Sequence, residues 1–253
     1  MSEMAVVNVS DSWGSPALPV SLKGDDVHVW RARLEQPDLC VREFASVLSE
    51  KERTRAASFR FERHRKRFIV GRAVLRTILA SYLNAEPGQL RFCYGSHGKP
   101  YLAERSCNAT VQFNLAHSNE LVLYAFTAKR RVGVDLEYIH FIPDVEEMVT
   151  RFFPKGKNFW MLPNSQKLGA FFNHWTRTEA YAKAVGTGLA QSFDWFDASL
   201  VREEPACPSR WFITSFMPAP DYTASLVVEG HDCVLHYFEF MPRKNFGQRK
   251  ESL

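Results

Sequence analysis

The sequence predicts an α/β protein in which a few long helices pack against short, mainly antiparallel strands. The strongest single signal is a helix over about residues 62–83, because Phe68, Leu75, Leu79 and Leu83 recur on one face. Alternating or continuous apolar runs, separated by turn residues, predict the strands. The 253 residues are 45% hydrophobic and 24% charged, a composition that suits one large globular domain or two small fused ones.

The first half of the chain begins with residues 1–24, which carry Gly, Pro and Ser without a sustained period and predict a flexible, loosely held arm. A strand is predicted over 27–34 and a helix over 41–48. Ser49 and Glu52 form a candidate capping box for a further short helix. Beyond the long helix, strand-like runs cover residues 90–94, 101–102, 111–115 and 121–128.

The second half has a similar order of elements. A strand over 132–139 precedes helices near 145–153 and 166–185. Three late strands are predicted over 210–216, 222–228 and 233–240, and the polar tail 243–253 is predicted to fray.

Several classes of protein are disfavoured by composition. No apolar run is long enough for a membrane helix and the first residues lack a secretory pattern, which predicts a cytoplasmic protein without a membrane partner. The five cysteines are scattered and lack zinc-site spacing. Net charge is +4, and seven basic residues crowd into 60–76, which suits an anionic partner or a solvated helix face.

Asp135 and Glu137 lie two residues apart within a predicted strand. Side chains alternate across a strand, so both carboxylates project to the same side. They are either a solvent-facing acidic pair or ligands of a hard divalent ion such as Mg²⁺, which would offset their mutual repulsion.

Trp175, Glu179 and Lys183 share one stripe of a predicted helix. Glu179 and Lys183 form a solvated ion pair, or Glu179 adds a third oxygen ligand to the two strand carboxylates. His117 follows an apolar strand and is either a satisfied structural group or part of a binding site.

Three segments, FNLAHS, GVDLE and WTRTEAYAK, occur in the order and spacing that resemble the 4′-phosphopantetheinyl transferases of the surfactin-synthetase type. RFIVGRAVLRTIL resembles the basic helix of that family, and GKPYL resembles its Gly-Lys-Pro element. The resemblance covers about residues 50–190.

The resemblance implies a Mg²⁺ site, with Mn²⁺ as the alternative ion, formed by Asp135, Glu137 and Glu179. Glu179, Asp135 and Lys183 are the implied catalytic residues, with Glu179 the candidate base for the carrier serine. The implied contacts to coenzyme A come from Arg67, Lys99, His117 and Lys183, and also from Arg55, whose alignment depends on a gap.

The resemblance also implies two similar halves related by pseudo-twofold symmetry, each a small antiparallel sheet packed with helices. We place their boundary near Lys129, so that residues 25–129 bind coenzyme A and residues 130–242 carry the metal and the catalytic groups. The implied reaction transfers phosphopantetheine from coenzyme A to a serine of an apo acyl or peptidyl carrier protein and releases 3′,5′-ADP. Such enzymes act as monomers.

Two residues depart from the family pattern. Ala116 replaces a serine in FNLAHS, and Thr178 replaces a lysine before Glu179. These departures motivate an alternative, a non-catalytic homologue that binds coenzyme A or a carrier protein. A nucleic-acid binder lacks any recognisable base-reading motif, and a metal-dependent phosphatase or nuclease would not need the FNxxHS and GKP elements.

Overall fold

The computed structural model describes residues 6–242 apart from 17, 19, 96–97, 104–110, 153–156 and 187–210. The predicted tail 243–253 lies outside the described residues. The helices are α1 (Asp38–Ser46), α2 (Glu50–Ala57), α3 (Glu62–Leu83), α4 (Val145–Phe152) and α5 (Asn164–Val185). The strands are β1 (Val7–Asn8), β2 (Asp26–Arg33), β3 (Phe92–Tyr94), β4 (Pro100–Leu102), β5 (Val111–Ser118), β6 (Leu121–Ala128), β7 (Val132–Tyr138), β8 (Trp211–Met217), β9 (Tyr222–Glu229) and β10 (Val234–Glu239).

Local sequence signals account for the helix boundaries. Ser49 and Glu52 form the predicted capping box, in which each side chain accepts a backbone N–H of the other residue. The helix α3 has the predicted span and ends at Asn84, whose left-handed backbone (φ 47°) stops the helix. None of the helices in the described ranges is long and apolar enough to cross a membrane.

Two four-stranded sheets make up most of the fold. Sheet I has the order β10-β2-β6-β5 and sheet II the order β1-β8-β9-β7, and β3 and β4 form a separate hairpin. In each sheet the strand that opens a half of the chain pairs antiparallel with a strand late in that half, as β2 does with β6 and β7 with β9. This repeated order confirms the predicted α/β class with two similar halves.

Each sheet also has one parallel edge strand, which comes from a distant part of the chain. Val7 and Asn8 pair with β8 of sheet II, and β10 pairs with β2 of sheet I. Val9 is buried between the sheets, and Gly14 bridges to Phe238. Part of the segment predicted as a loose arm is therefore ordered, because its apolar residues and free backbone groups complete a sheet edge.

The core consists of layers built on the two sheets. Alternate residues of β2 face opposite sides, so Val29 packs towards sheet II and Trp30 packs among the residues of α3. The cluster between the sheets includes Leu123, Val134 and Leu226, all fully buried. Helix α5 covers the outer face of sheet II, much as α3 covers sheet I. Burying each large apolar side chain contributes about 1.5–3 kcal/mol.

The basic cluster on α3 is not a uniformly solvated surface. Arg72 and Arg76 are buried and bind the buried carboxylate of Glu52 at 3.0 and 2.7 Å. Arg76 also donates to the carbonyl oxygens of Pro87 and Leu90. These two arginines join α2 and α3. Fewer basic side chains of the cluster are therefore free to bind an anionic partner than the sequence suggests.

Candidate active site

Gly133 allows α5 to lie directly against β7. A Cβ at this position would meet the carbonyl oxygen of Ala180 at 2.0 Å and the amide nitrogen of Ala184 at 2.6 Å, which is closer than any real contact. Helix and strand therefore approach more closely than any side chain would permit. This contact brings Glu179 and Lys183 of α5 to the face of β7 that carries Asp135.

Asp135 is buried, at 5% exposure, and its two carboxylate oxygens have different surroundings. Oδ1 accepts a hydrogen bond from the Lys183 ammonium at 2.5 Å. Oδ2 is buried without a hydrogen-bond partner, and so is the hydroxyl of Thr223, which lies opposite Glu137 in the neighbouring strand. Buried polar atoms without partners are costly and normally have a ligand or water. An oxygen-binding cation fits this pair of atoms.

Glu137 and Glu179 lie close enough to Asp135 for its charge to raise the pKa of each. Glu137 Oε2 accepts a hydrogen bond from the Ser118 hydroxyl at 2.9 Å. Burial raises the pKa of Glu179, and the charges of Asp135 and Glu137 raise it further, which shows that the three carboxylates share one electrostatic environment. The nearest carboxylate oxygens of these three residues do not all lie within 4.8 Å of one another.

The pKa of each of the three carboxyl groups is raised, in every case first by burial. Lys183 opposes the rise at all three. A site in which three acids resist ionisation, with a single lysine among them, gains stability from a further cation. Carboxylate and hydroxyl oxygens are the ligands that Mg²⁺ prefers. The residues present therefore fit the predicted ion.

Two polar residues of β5, which the sequence reasoning did not select, hold β7 in place. β5 and β7 are edge strands of different sheets and lie side by side. Asn114 Oδ1 accepts the backbone N–H of Val134 at 2.8 Å, and Ser118 Oγ accepts that of Tyr138 at 3.0 Å. Both residues stand in the FNLAHS motif, and their alternation along one strand face was the available signal.

His117 points to the other face of β5 and is exposed. Its pKa is lowered, first by partial desolvation and then by the positive charges of Lys183 and Arg67. Arg67 binds Glu35 at 2.7 Å. The three predicted coenzyme A ligands His117, Arg67 and Lys183 thus share a basic region beside the carboxylates.

Lys99 contacts the end of α5. Its ammonium donates to the carbonyl oxygen of Lys183 at 2.6 Å and to that of Val132 at 3.3 Å. The carbonyls of a helix's last turn lack partners within the helix, so a cation stabilises them. Burial, with Lys183 and Arg131 nearby, lowers the pKa of Lys99 to about 8. In this structure, Lys99 joins the two halves of the fold.

Arg55 has no described contact with the site. It is exposed in the last turn of α2, and its guanidinium lies 5.5 Å from the ring centre of Phe68.

The two departures from the family pattern are both packed in the interior. Ala116 lies in the apolar cluster between the sheets, at 5% exposure. Thr178 is fully buried and donates its hydroxyl hydrogen to the carbonyl oxygen of His174 in the same helix. Burial in the interior therefore accounts for both residues.

A buried polar network fixes α5 above β8 and β9. The hydroxyls of Thr176 and Ser225 lie 2.9 Å apart, and those of Ser215 and Ser225 lie 3.1 Å apart. Ser215 also donates to Asn173 Oδ1 at 2.9 Å. Ser225 is directly opposite Asp135 in the sheet register. This network therefore fixes the position of α5 relative to sheet II beside Asp135.

Comparison with known families and proteins agrees with this arrangement. The family model described as "4′-phosphopantetheinyl transferase, N-terminal" matches residues 30–129, and the model described as "4′-phosphopantetheinyl transferase superfamily" matches residues 131–226. The 4′-phosphopantetheinyl transferase HetI of Nostoc sp. is 40% identical over 216 residues, which cover 83% of this chain and 91% of that protein.

More distant relatives have the same description. A putative 4′-phosphopantetheinyl transferase of Synechocystis sp. is 30% identical over 164 residues, covering 64% of this chain and 65% of its own. The 4′-phosphopantetheinyl transferase Sfp of Bacillus subtilis is 25% identical over 187 residues, covering 71% and 81%. The chain belongs to the 4′-phosphopantetheinyl transferase family, and the predicted transferase class is confirmed.

Proposed function

We propose that the protein transfers the 4′-phosphopantetheine group of coenzyme A to a serine hydroxyl of an apo acyl or peptidyl carrier protein, with Mg²⁺ bound and 3′,5′-ADP released. The observation that carries this proposal is the buried Oδ2 of Asp135, which has no hydrogen-bond partner although Lys183 binds the other oxygen and the charge of Asp135 reaches Glu137 and Glu179. In the reaction, a bond forms between the serine oxygen and the β-phosphorus of coenzyme A. The pyrophosphate bond to the departing 3′,5′-ADP breaks.

The residues proposed to hold Mg²⁺, or Mn²⁺ in its place, are Asp135, Glu137 and Glu179. A bound divalent ion supplies Lewis-acid polarisation of phosphate oxygens and helps to orient the groups that react. Ser118 holds the Glu137 carboxylate through its hydroxyl, and Lys183 holds one oxygen of Asp135. Both carboxylates therefore begin from fixed positions, which reduces the cost of orienting them when the substrate binds.

The proposed binding surface for the phosphates of coenzyme A consists of Arg67, His117, Lys99 and Lys183. Lys183 and Arg67 supply the positive potential of this surface, and both lower the pKa of the neighbouring His117, whose ring N–H can donate to a phosphate oxygen. Arg67 would exchange its contact with Glu35 for a phosphate, and charge-assisted hydrogen bonds of this kind contribute roughly 1.5–3 kcal/mol each. Arg55 belongs to the predicted set through its alignment alone.

Glu179 is the proposed acceptor of the serine proton. Burial and two neighbouring carboxylates raise its pKa, which makes it a better base than an exposed glutamate. It lies one helical turn before Lys183, so the carboxylate and the ammonium project from the same face of α5.

We further propose that the protein is of the surfactin-synthetase type, in which one chain carries both halves of the site. The matches to an N-terminal and a superfamily model within a single chain support this. The boundary near Lys129 and action as a cytoplasmic monomer remain predictions. A net charge of +4 suits acidic carrier proteins, because complementary charge speeds association.

The test is an intact-mass assay of several apo carrier proteins incubated with the protein, coenzyme A and Mg²⁺. We expect each good substrate to gain one phosphopantetheine, and we expect no gain with EDTA or with a carrier whose serine is replaced by alanine. If coenzyme A binds by calorimetry but no carrier gains mass, the chain is a non-catalytic homologue. Arg67→Ala and His117→Ala should raise KM for coenzyme A more than they lower kcat.

A further inference from the structure

A second group of potential metal ligands lies on sheet I, at the edge opposite β5. It consists of Asp26 and His28 of β2 and His236 of β10. In the parallel pairing of these strands His28 is opposite His236, and Asp26 precedes His28 by two residues and so shares its face. Among the described residues, this is the group of three whose ligand atoms all lie within 4.8 Å of one another.

The spacing of the three side chains suits a tetrahedral ion. His236 Nε2 lies 3.3 Å from Asp26 Oδ1, and His28 Nε2 lies 3.9 Å from Asp26 Oδ2. Metal–ligand bonds of about 2.0–2.1 Å in a tetrahedral site put neighbouring ligand atoms about 3.4 Å apart. Only a small adjustment is therefore needed to place one ion between the three groups.

The orientation of His28 is fixed through its other ring nitrogen. Nδ1 lies 2.7 Å from the Tyr82 hydroxyl, and that hydroxyl accepts the indole N–H of Trp30 at 2.8 Å. When Nδ1–H donates to the second lone pair of the Tyr82 oxygen, Nε2 keeps its own lone pair directed towards Asp26. Metal-binding histidines are commonly held in this way, by a hydrogen bond from the nitrogen that does not bind the ion.

The ionisation of the cluster also suits an ion at neutral pH. Burial, followed by the charge of His236, lowers the pKa of His28 to about 4, so its ring is neutral and available as a ligand. Hydrogen bonds and the two histidines keep the pKa of Asp26 below its usual value against the effect of burial, so its carboxylate is ionised. The Asp26 and His236 side chains are 21% and 40% exposed, which leaves an entry path.

We propose that Asp26, His28 and His236 form a binding site for a divalent transition-metal ion of the Zn²⁺ type, separate from the carboxylates of β7 and α5. Two imidazoles and one carboxylate are a common protein ligand set for Zn²⁺, with the fourth position left to water. The ion joins β10, from the far end of the chain, to β2. Its role is to fasten the C-terminal strand to the N-terminal sheet and so to stabilise the whole fold.

The test titrates Zn²⁺ into the full-length protein by calorimetry and repeats the titration with His236→Gln, a change at a partly exposed position. We expect the wild type to bind one equivalent at this site, besides any held by the carboxylates of β7 and α5, and the affinity of that equivalent to fall at least about tenfold in the variant. A loss of this size is seen even when only a residue that supports a metal ligand is changed. His64→Gln, at an exposed histidine of α3, is the matched control and should bind as the wild type does. Asp135→Asn should also retain this equivalent.

Two further measurements distinguish this site from Zn²⁺ binding at a cysteine or at scattered surface groups. Co²⁺ bound in place of Zn²⁺ should show visible d–d bands without the near-ultraviolet band of a thiolate ligand, which excludes binding at cysteine. Zn²⁺ should raise the melting temperature of the wild type more than that of His236→Gln. Equal affinity and equal melting shifts in the two proteins would overturn the proposal, and so would a thiolate band.

Discussion

Helices α3 and α5 each have 22 residues, each covers one sheet, and each brings charged residues into the interior. The two helices differ in how far neighbouring groups compensate the buried charge. On α3, Arg72 and Arg76 share the carboxylate of Glu52, whose pKa is lowered by hydrogen bonds and positive charge although burial alone would raise it. Beside α5 the carboxyl pKa values are raised. Compensated charge, as at Glu52, supports structure, whereas incomplete charge compensation, as at Asp135, makes a position a candidate for binding a ligand.

The largest expected effect is loss of transfer in Asp135→Asn. We expect kcat/KM to fall at least about 100-fold, because losing a metal ligand costs at least as much as losing a residue that supports one. The fold should persist, since the change removes a buried charge that is only partly compensated. The check is the carrier mass assay together with circular dichroism. A rate near that of the wild type would show that Asp135 is a structural ion-pair partner of Lys183.

The matching change beside α3 is Glu52→Gln, which should have the opposite outcome. It leaves Arg72 and Arg76 buried without their shared counter-ion, and breaking a buried pair of this kind costs about 3–5 kcal/mol. Urea unfolding followed by fluorescence measures the loss. In the folded Glu52→Gln variant, the KM for coenzyme A should equal that of the wild type. Unchanged unfolding free energy would mean that this network is not stabilising.

Gly133→Ala tests the close packing of α5 on β7. A methyl group cannot fit against the Ala180 carbonyl, so the helix must move, at a cost of about 1–3 kcal/mol. Since the same movement displaces Glu179 from Asp135, transfer should fall together with stability. Gly169→Ala, in α5 at a position with open space, is the control; it should leave transfer unchanged and raise stability by about 0.5–1 kcal/mol, because Ala favours the helix over Gly. If Gly133→Ala retains both properties, the backbone contact does not position Glu179.

The smallest expected effect is the pH dependence of Glu179→Gln in the absence of metal. The pKa of Glu179 is raised in the folded protein, so ionising it above that folded pKa destabilises the fold. The variant should therefore be more stable than the wild type at pH 8. The difference should shrink as pH falls through the folded pKa towards the unfolded value of about 4.3. Melting curves between pH 8 and 4 measure it, and a difference that grew on acidification would contradict the raised pKa.

Much of the fold could be predicted because periodic apolar residues report local structure. The span of α3 and the capping box of α2 follow from residues within a few positions of each other. The positions of β1 and β10 could not be predicted in this way. Each pairs with a strand about 200 residues away, and no local pattern specifies which of two sheet edges a short strand will join.

The candidate site also contains some residues that the sequence identified and some that it missed. Asp135, Glu137 and Glu179 were identified by residue type, spacing and resemblance. Asn114 and Ser118 were missed as supports, because their partners are backbone groups of another strand. The roles predicted for the selected residues await the transfer assay.

By itself, the sequence determined the helices, most strands, the transferase family and the residue types that can bind a cation and phosphate. Tertiary structure alone decided that Asp135 keeps one buried oxygen without a partner while Lys183 takes the other. It also decided that Arg72 and Arg76 are internal, and that His236 stands opposite His28. The physical reason is that burial and pairing depend on chain segments distant in sequence, whereas periodicity records only which face of an element is apolar.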